Sequence, residues 1–414
     1  MMLRIKDYTT KVGSGVTPRG GAETYLDEGI PLFRSQNVTN DGFLMDDIAF
    51  ISEEVDESMK GTRVKPGDVL LNITGASIGR CFYTSDDFER GNVNQHVCII
   101  RPKKNKVKPD YLHYCIISDK GQQQIDLTQT GANREGLAVE DIRGFMFDIP
   151  SLPVQQRIVD YLDEKLTKID GRIEVLEKQK NAYVRLKKSI IHHAVTRGLN
   201  PNVSLKDSGI EWIGMIPEHW EVKRIKDLCS FVSRGSTPDY VDESDFPVMN
   251  QAVFSSGCIN HEVVRYSSYM KPESKIEKGD MLIASTGGGI LGKLYFFNNE
   301  DEQFYADTHV TIVRSPKKTF NVKFLYYLLS IGYNMINSCM AKGSTNQTEL
   351  QRDKLIAYEI AIPSIEEQTK IIEYLDEKCT KIDAAIENIS KQIDASKRLK
   401  RALINEVITG QRAV

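Results

Sequence analysis

The chain has 414 residues, of which 40% are apolar and 27% are charged, and its formal net charge is −3. This length predicts two or three domains, each large enough for its own core. The sequence lacks an apolar run of the roughly 20 residues that a membrane helix needs, lacks a signal peptide pattern, and is not basic throughout. Seven cysteines without a CxxC pair indicate a reduced, cytoplasmic protein without structural zinc.

Residues 1–148 are predicted to form an α/β domain. The β-rich runs DVLLNI (68–73) and QHVCIIRP (95–102) are bounded by turn residues, which is typical of short strands. The segment PDYLHYCIISDKGQQQI (109–125) is the amphipathic helix candidate of this domain.

Residues 149–199 are predicted to form one long helix. Between 162 and 194, the positions that recur with a 4,3 spacing are apolar in eight of ten cases, which is the pattern of a coiled-coil seam. Pro153 suits the first turn of this helix and Gly198 suits its end. A helix over about 153–197 would be roughly 65 Å long.

Residues 200–216 have the composition of a linker, and residues 217–361 are predicted to form a second α/β domain. In that domain KLYFF (293–297) and HVTIVRSP (309–316) predict strands, and VKFLYYLLSIGYNMI (322–336) predicts a helix.

Residues 362–414 repeat the long helix of the first half. IPSIEEQTKIIEYLDEKCTKID (362–383) aligns without gaps to IPSLPVQQRIVDYLDEKLTKID (149–170), with 14 of 22 residues identical. The seam of the second helix, from 375 to 407, is again apolar in eight of ten positions.

The two apolar stripes are predicted to cover each other, because neither helix can bury its stripe alone. The predicted seam of this helix pair consists of Leu162, Ile169, Ile173, Leu176, Ile190, Leu375, Ile382, Ile386, Ile389 and Leu403. Lys187 and Lys400 are expected to weaken the seam locally. The alternative is that each helix packs separately on its own globular part.

The repeat extends more weakly into the two front domains. IKDYTTKVGSGVTP (5–18) resembles IKDLCSFVSRGSTP (225–238), and His96 and Arg101 stand 213 residues before His309 and Arg314. The chain is therefore predicted to consist of two half-chains of about 200 residues, each with a variable front and a nearly repeated back.

Motifs for catalysis are absent from the sequence. The loop STGGGILGK (285–293) approaches a phosphate-binding pattern, but Leu294 replaces the hydroxyl residue and a strand is predicted where a helix is needed, which favours a glycine turn. The adjacent His192 and His193 point in different directions on a helix, so they are predicted to lie on the surface or in the seam. The sequence contains no HExxH, GxSxG or paired-cysteine motif.

The repeated block resembles the specificity (S) subunits of type I restriction–modification enzymes. The residues that carry this resemblance are 149–170 and 362–383, with support from SGIEWIGMIPEHWEVKRIKD (208–227), TGANREGL (130–137) and KGSTNQTEL (342–350). No segment like IPEHWEV precedes the first half, which leaves open how the N-terminus packs.

The resemblance implies an α/β (α+β) fold with two pseudo-symmetric target-recognition domains joined by two long helices that form an antiparallel coiled coil. It implies a non-catalytic subunit, in a bacterial or archaeal cytoplasm, whose two domains each recognise one half of a bipartite site in double-stranded DNA. Two methyltransferase (M) subunits would dock on the helices, and restriction–translocase (R) subunits would join them. S-adenosylmethionine, ATP and Mg²⁺ would belong to those partners, and this chain would bind no cofactor or metal.

Candidate DNA contacts come from polar, glycine-bearing loops, because base recognition needs forked donors and acceptors and phosphates need cations. In the first domain they are Thr17, Arg19, Arg34, Gln36, Asn37, Arg80, Asn94, Gln95, Asn133 and Arg134. In the second they are Arg234, Ser236, Thr237, Asn250, Gln251, Lys293, Thr308, Asn346 and Gln347. For each residue, a solvated or turn-forming role is the alternative.

Two basic runs allow phosphate contacts or, equally, solvated hairpins. They consist of Arg101, Lys103, Lys104, Lys106 and Lys108, and of Arg314, Lys317, Lys318 and Lys323. Two other functions stay open: a coiled-coil scaffold that binds only protein, and a single-chain methyltransferase or nuclease, which the missing catalytic motifs disfavour.

Overall fold

A computed structural model describes residues 1–129, 136–287, 289–315, 320–332, 336, 340–343 and 348–414. The chain divides into two compact units. Unit 1 comprises Met1–Glu177 and Ser390–Val414, and unit 2 comprises Lys178–Ile389. Each unit therefore contains one front domain and one part of each long helix.

Unit 1 contains two four-stranded sheets and a two-stranded ribbon. Its strands are β1 (Met2–Arg4), β2 (Thr9–Ser14), β3 (Ile30–Phe33), β4 (Ala49–Ile51), β5 (Arg63–Val64), β6 (Val69–Asn72), β7 (Cys81–Tyr83), β8 (Gly91–Val93), β9 (Val97–Pro102) and β10 (Met146–Asp148). The first sheet, β2-β9-β6-β7, is antiparallel throughout. The second, β4-β3-β8-β5, has one parallel pair, β3 with β8, and β1 pairs with β10.

The helices of unit 1 are α1 (Glu53–Ser58), α2 (Pro109–Ile117), α3 (Asp119–Thr128), α4 (Val139–Gly144) and the first part of α5 (Leu152–Arg197). The single helix predicted over 109–125 is thus divided in two. Ser118 has an extended backbone, and its hydroxyl accepts a hydrogen bond from the Gly121 N–H at 3.3 Å. This serine ends one helix and caps the next, which is a common role of the residue.

The central strand β6 is apolar at consecutive positions because both of its faces are buried. Val69 and Leu71 face the core that contains α2, whereas Leu70 faces a second core between the two sheets. A continuous apolar run is expected for a strand that is covered on both sides.

Unit 2 repeats this architecture. Its strands are β11 (Leu205–Asp207), β12 (Met215–Pro217), β13 (Glu221–Arg224), β14 (Phe231–Arg234), β15 (Tyr240–Val241), β16 (Pro247–Met249), β17 (Arg265–Ser267), β18 (Met281–Ala284), β19 (Leu294–Phe296), β20 (Tyr305–Ala306), β21 (Val310–Arg314), β22 (Ala341–Lys342), β23 (Glu349–Leu350) and β24 (Glu359–Ile362). The sheet β14-β21-β18-β19 is antiparallel and matches the first sheet of unit 1. The sheet β15-β17-β16-β20 again has one parallel pair, β16 with β20.

The glycine loop 285–293 joins the neighbouring antiparallel strands β18 and β19, as the sequence predicts. A strand and not a helix follows it, so it does not form the predicted phosphate-binding alternative.

The helices of unit 2 are the second part of α5, then α6 (Ile225–Leu228), α7 (Gln251–Phe254), α8 (Val322–Ile331), α9 (Arg352–Ala357) and the first part of α10 (Ile365–Ile408). None of the helices in the described part of the chain combines the length and the apolar content that a membrane crossing needs.

The segment predicted as a linker is structured in unit 2. Strands β11 and β12 form an antiparallel hairpin, and Ile213 and Ile216 are buried in the main core of the unit. Trp220, which follows the hairpin, is also buried there and donates from its indole N–H to Glu367 on α10 at 3.3 Å. Polar letters dominate the composition of this segment, but its few large apolar side chains determine how it packs.

The two long helices pack on each other in unit 1. Val159, Leu162 and Leu166 of α5 share a buried core with Leu403 and Val407 of α10. Asp170 contacts Lys400, so positions later in α5 meet positions earlier in α10, and the pairing is antiparallel.

Unit 2 contains the same antiparallel pairing. Ile191 and Val195 of α5 share a core with Leu375 and Cys379 of α10. Six of the predicted seam residues are buried: Leu162, Leu176, Leu375, Ile382, Ile389 and Leu403. The other four are partly buried: Ile169, Ile173, Ile190 and Ile386. The prediction of two long helices that form an antiparallel coiled coil is confirmed.

The two seam lysines do not merely interrupt the stripe. Lys187 donates to the Asp383 carboxylate at 2.6 and 2.7 Å in unit 2, and Lys400 donates to the Asp170 carboxylate at 2.8 and 2.9 Å in unit 1. These are equivalent pairs, 213 residues apart. Lys400 also donates to Asp41 at 2.6 Å.

Candidate nucleic-acid interface

The polar loops predicted to contact DNA come together at one edge of unit 1. Backbone hydrogen bonds of 2.9 to 3.2 Å connect Gly15 N with Val97 O, Ile73 N with His96 O, Leu137 N with Ile73 O, and Asn94 N with Phe33 O. These bonds join the segments 13–21, 33–42, 74–80 and 92–96, which lie far apart in the sequence. Residues 131–135 lie outside the described residues, but Gly136 next to them pairs with Thr74.

The corresponding loops of unit 2 are joined by the same bonds. They connect Gly235 N with Val310 O, Ser285 N with His309 O, Leu350 N with Ser285 O, and Asp307 N with Met249 O, at 2.8 to 3.3 Å. Thr286 pairs with Glu349 as Thr74 pairs with Gly136. Both units therefore build one loop cluster at the same place in the fold.

A glycine is required where two loops of each cluster cross. A Cβ atom on Gly15 would lie 2.1 Å from the Val93 carbonyl oxygen, and one on Gly235 would lie 1.8 Å from the Ala306 carbonyl oxygen. No real Cβ atom approaches an oxygen this closely, so only glycine permits the crossing.

A threonine–histidine pair lies in each cluster and is absent from the predicted contacts. The Thr74 hydroxyl lies 2.6 Å from His96 Nδ1, and the Thr286 hydroxyl lies 2.7 Å from His309 Nδ1. The equal spacing of the two histidines in the repeat was the sequence signal that could have identified them. In unit 1 the pair continues to Gln95, whose Nε2 lies 2.8 Å from His96 Nε2.

Three predicted contacts of unit 1 have structural roles around Asp47. Asn37 is 1% exposed, and its amide donates to the carbonyls of Leu44 and Asp47 at 3.0 and 3.1 Å. Arg34 donates from Nη2 to the Asp47 carbonyl at 2.6 Å, and the Gln36 amide donates to the Asp47 carboxylate. Because these groups already have partners, a base could bind them only by displacing the loop.

Other predicted residues of unit 1 remain accessible. Arg19 and Arg80 are exposed, and their guanidinium groups have no partner within the described residues. Thr17 and Gln95 are exposed and joined by a hydrogen bond from the threonine hydroxyl. Asn94 is buried and accepts from the His96 N–H at 3.1 Å. Asn133 and Arg134 lie outside the described residues.

Most predicted residues of unit 2 also have internal partners. Arg234 forms an ion pair with Glu349, and the Lys293 ammonium donates to the Ser255 carbonyl at 3.0 Å. Asn250 caps α7 by accepting from the Ala252 N–H at 2.9 Å.

Four further candidates of unit 2 differ in their accessibility. The Ser236 hydroxyl donates to that of Ser274 at 3.1 Å, and Gln251 Oε1 is buried without a partner within the described residues. Thr237 is exposed and Thr308 is partly exposed. Asn346 and Gln347 lie outside the described residues.

The two arginines of the predicted basic runs are neutralised inside the fold. Arg101 donates to both oxygens of Asp68 at 2.7 and 2.8 Å, and Arg314 donates to both oxygens of Asp280 at 2.7 Å. Asp68 and Asp280 are fully buried. These hydrogen bonds to Asp280 raise the pKa of Arg314. A bidentate pair with a buried carboxylate has no guanidinium edge left for a phosphate, so these two residues are structural.

The lysines of the runs differ among themselves. Lys104 pairs with Asp86 at 3.3 Å, and Lys323 pairs with Asp376 at 2.6 Å. Lys317 and Lys318 lie outside the described residues. Among the residues that the structure describes, no group of three or more His, Cys, Asp or Glu side chains could hold a metal ion.

Comparisons with known proteins agree with this architecture. A family model described as the type I restriction modification DNA specificity domain matches the chain twice, over residues 2–184 and 217–395. The type I restriction enzyme MjaVIII specificity subunit of Methanocaldococcus jannaschii is 25% identical, with 89% of this chain and 84% of that protein aligned. The StySPI specificity subunit of Salmonella potsdam is 20% identical, with 98% and 88% aligned.

Solved structures are similar over nearly the whole chain. A chain from a study of complex assembly and conformational transition of the type I R-M system has a TM-score of 0.74 at 16% identity, with 99% of this chain and 97% of that chain covered. The HsdS subunit of Thermoanaerobacter tengcongensis has a TM-score of 0.50 at 16% identity, with 100% and 97% covered. At this identity the likeness concerns the fold.

Proposed function

The chain belongs to the type I restriction–modification DNA specificity family, and from this premise we propose that the loop cluster of each unit recognises one half of a bipartite DNA sequence. It is a non-catalytic specificity subunit, part of a complex that acts on DNA. The resemblance described from the sequence is thereby confirmed at the level of the family.

The observation that carries the proposal is that the two clusters have one frame and different exposed side chains. The frame consists of the shared backbone bonds, the glycine crossings and the threonine–histidine pairs. At equivalent positions, however, Arg19 in unit 1 corresponds to Asp239 in unit 2, and Gln95 corresponds to Thr308. An arginine, a carboxylate, an amide and a hydroxyl present different donors and acceptors, so the two clusters would recognise different bases.

Identical exposed residues on the helices support docking of two copies of one methyltransferase subunit. Glu164 and Lys168 of unit 1 are repeated as Glu377 and Lys381 of unit 2, and all four are exposed. Leu186 and Leu399 are also an identical, exposed pair, at 47% and 54% exposure. Repetition of an exposed apolar residue indicates a shared contact, because the internal packing does not require it.

In this proposal the helix pair sets the number of base pairs between the half-sites. Restriction–translocase subunits would join the complex in the cytoplasm of a bacterial or archaeal cell. S-adenosylmethionine, ATP and Mg²⁺ would be bound by the partner subunits.

Domain exchange tests the proposal. Residues 1–148 are replaced by the matching domain of another member of the family, the chimera is expressed with its methyltransferase subunit, and the methylated positions in the host genome are sequenced. We expect a new sequence in one half of the site and an unchanged sequence in the other. The matched control exchanges residues 217–361 and should change the other half.

A change in both halves would refute the assignment of one half-site to each unit. If neither chimera nor the unaltered complex bound DNA in a salt-sensitive manner, the scaffold alternative would hold instead.

A further inference from the structure

In unit 2 a lysine ammonium occupies a site formed by an aromatic ring and a carboxylate. Lys323 Nζ donates to Asp376 Oδ2 at 2.6 Å and lies 5.3 Å from the centre of the Phe296 ring. The other oxygen of this carboxylate, Oδ1, accepts from the Tyr327 hydroxyl at 2.6 Å. Such a cation between a carboxylate and an aromatic face is stabilised by both.

Unit 1 contains the same site without its lysine. Asp163 Oδ1 accepts from the Tyr114 hydroxyl, as Asp376 Oδ1 accepts from Tyr327. Tyr83 corresponds to Phe296, because each lies on the last strand of its antiparallel sheet and pairs with the first residue of the neighbouring strand. The position of Lys323, however, is Asp110. Within the described residues, Asp163 Oδ2 has no hydrogen-bond partner.

The unfilled position adjoins a groove of about 970 Å³ between the front domain of unit 1 and the helices of the same unit. Tyr83, Tyr114 and Asp163 line it, and Leu166 and Ile404 add apolar surface. A volume of this size lies within the range of sites for small organic ligands.

The charges of the groove favour a cation. Two of its basic groups are already neutralised, since Lys400 is paired with Asp41 and Asp170 and Arg401 is paired with Asp119. The groups left without a partner in the described part of the chain are the carboxylates of Asp126, Asp163 and Glu177 and the ammonium of Lys397.

The replacement of lysine by Asp110 also leaves a carboxyl group that lacks a close cation. Its nearest cation is Lys108, at 3.7 Å. Burial raises the pKa of Asp110, and the Asp163 carboxylate adds to the rise. A positive charge bound between them would lower the free energy of both ionised carboxylates.

We propose that this groove binds a linear alkyl polyamine, with one ammonium on Asp163 as Lys323 lies on Asp376. The methylene chain would pack on Tyr83 and the apolar floor, and the further ammonium groups would reach Asp126 and Glu177. This inference is independent of DNA recognition, and DNA is absent from its test.

The test is a titration of the full-length chain with spermidine at 0.15 M salt, a concentration at which weak, long-range attraction is screened at about 8 Å. Binding is measured by calorimetry. We expect saturable binding of one spermidine, and at least a tenfold loss of affinity in Asp163→Asn. The matched control Asp376→Asn in unit 2 should bind as the unaltered chain does.

A second variant separates filling of the site from damage to the fold. Asp110→Lys restores the lysine of unit 2 and should abolish spermidine binding while it leaves the melting temperature unchanged or raises it. Asp110→Asn, which removes the carboxylate without filling the site, should retain at least part of the binding.

Three outcomes would overturn the proposal. They are an absence of saturable binding, equal affinity in Asp163→Asn, and equal affinity in Asp110→Lys. The last two would mean that spermidine binds only through the general negative charge of the chain.

Discussion

The two units use one architecture with a few exchanged side chains. The buried arginine–aspartate pairs, the glycine crossings and the threonine–histidine pairs occur in both. The exchanges concern side chains next to these contacts: Asp110 for Lys323, His113 for Tyr326, and the added contact of Lys400 with Asp41. The comparison indicates that contacts which build the fold are kept, whereas neighbouring positions are free to acquire a charge or a function.

The largest effect is expected from breaking a kept contact. Arg101→Ala leaves the buried carboxylate of Asp68 without its partner, which should lower the free energy of unfolding of unit 1 by about 3–5 kcal/mol. Arg314→Ala should lower that of unit 2 by a similar amount. Hydrogen exchange under denaturant measures the two units separately.

The control for this prediction is Lys104→Ala, since Lys104 pairs with the exposed Asp86 and should contribute less than about 1 kcal/mol. A loss in Arg101→Ala no larger than in this control would mean that the buried pair is not a basis of the common frame.

A smaller effect is expected from an exchanged side chain that titrates. Burial lowers the pKa of His113 from its ordinary value of 6.5 to about 4. Between these values the unfolded chain binds a proton that the folded chain excludes, so the stability of unit 1 falls as the pH falls. From pH 7 to pH 5 the loss is about 2 kcal/mol.

His113→Phe should remove this acid sensitivity from unit 1, and urea unfolding at the two pH values measures it. The matched change in unit 2, Tyr326→Phe, should leave the acid sensitivity of its unit unaltered. If the pH dependence of unit 1 were the same with and without His113, the exchange would have no role in the difference between the units.

The smallest effect is expected in the seam. Lys187→Ala and Lys400→Ala remove partly exposed ion pairs, so each should cost only about 0.2–1 kcal/mol, with the larger loss for Lys400 because of Asp41. Burial opposes the charge on Lys400, but its hydrogen bonds with Asp170 and Asp41 outweigh this and raise its pKa.

This raised pKa determines the pH range of the contribution. The stabilisation by Lys400 should be complete below its unfolded pKa of about 10.4 and should disappear only as the pH rises through the higher folded value. Equal losses in the two variants at pH 7 would indicate that Asp41 adds nothing.

Periodicity alone predicted the long helices and their pairing. The seam repeats every seven residues over many turns, and the first helix, predicted over 153–197, is Leu152–Arg197 in the structure. A long pattern of this kind depends little on tertiary context, because the buried stripe is formed by the helix itself.

The candidate interface was less predictable. Loop segments were correctly grouped, but Asn37, Arg34 and Arg101 have internal partners. The residue types that recognise bases also close turns and neutralise buried charges, and only three-dimensional contacts distinguish these roles. The hairpin in the predicted linker was missed for a related reason, since composition does not reveal where Ile213 and Ile216 are buried.

The composition of unit 1 from both ends of the chain has a consequence during synthesis. The face of α5 that carries Val159, Leu162 and Leu166 leaves the ribosome more than 200 residues before Leu403 and Val407, which cover it. At about 5–20 residues per second, this greasy stripe stays uncovered for roughly 10–50 s. The newborn polypeptide thus depends on shielding by a chaperone, or on a neighbouring copy, until its last residues arrive.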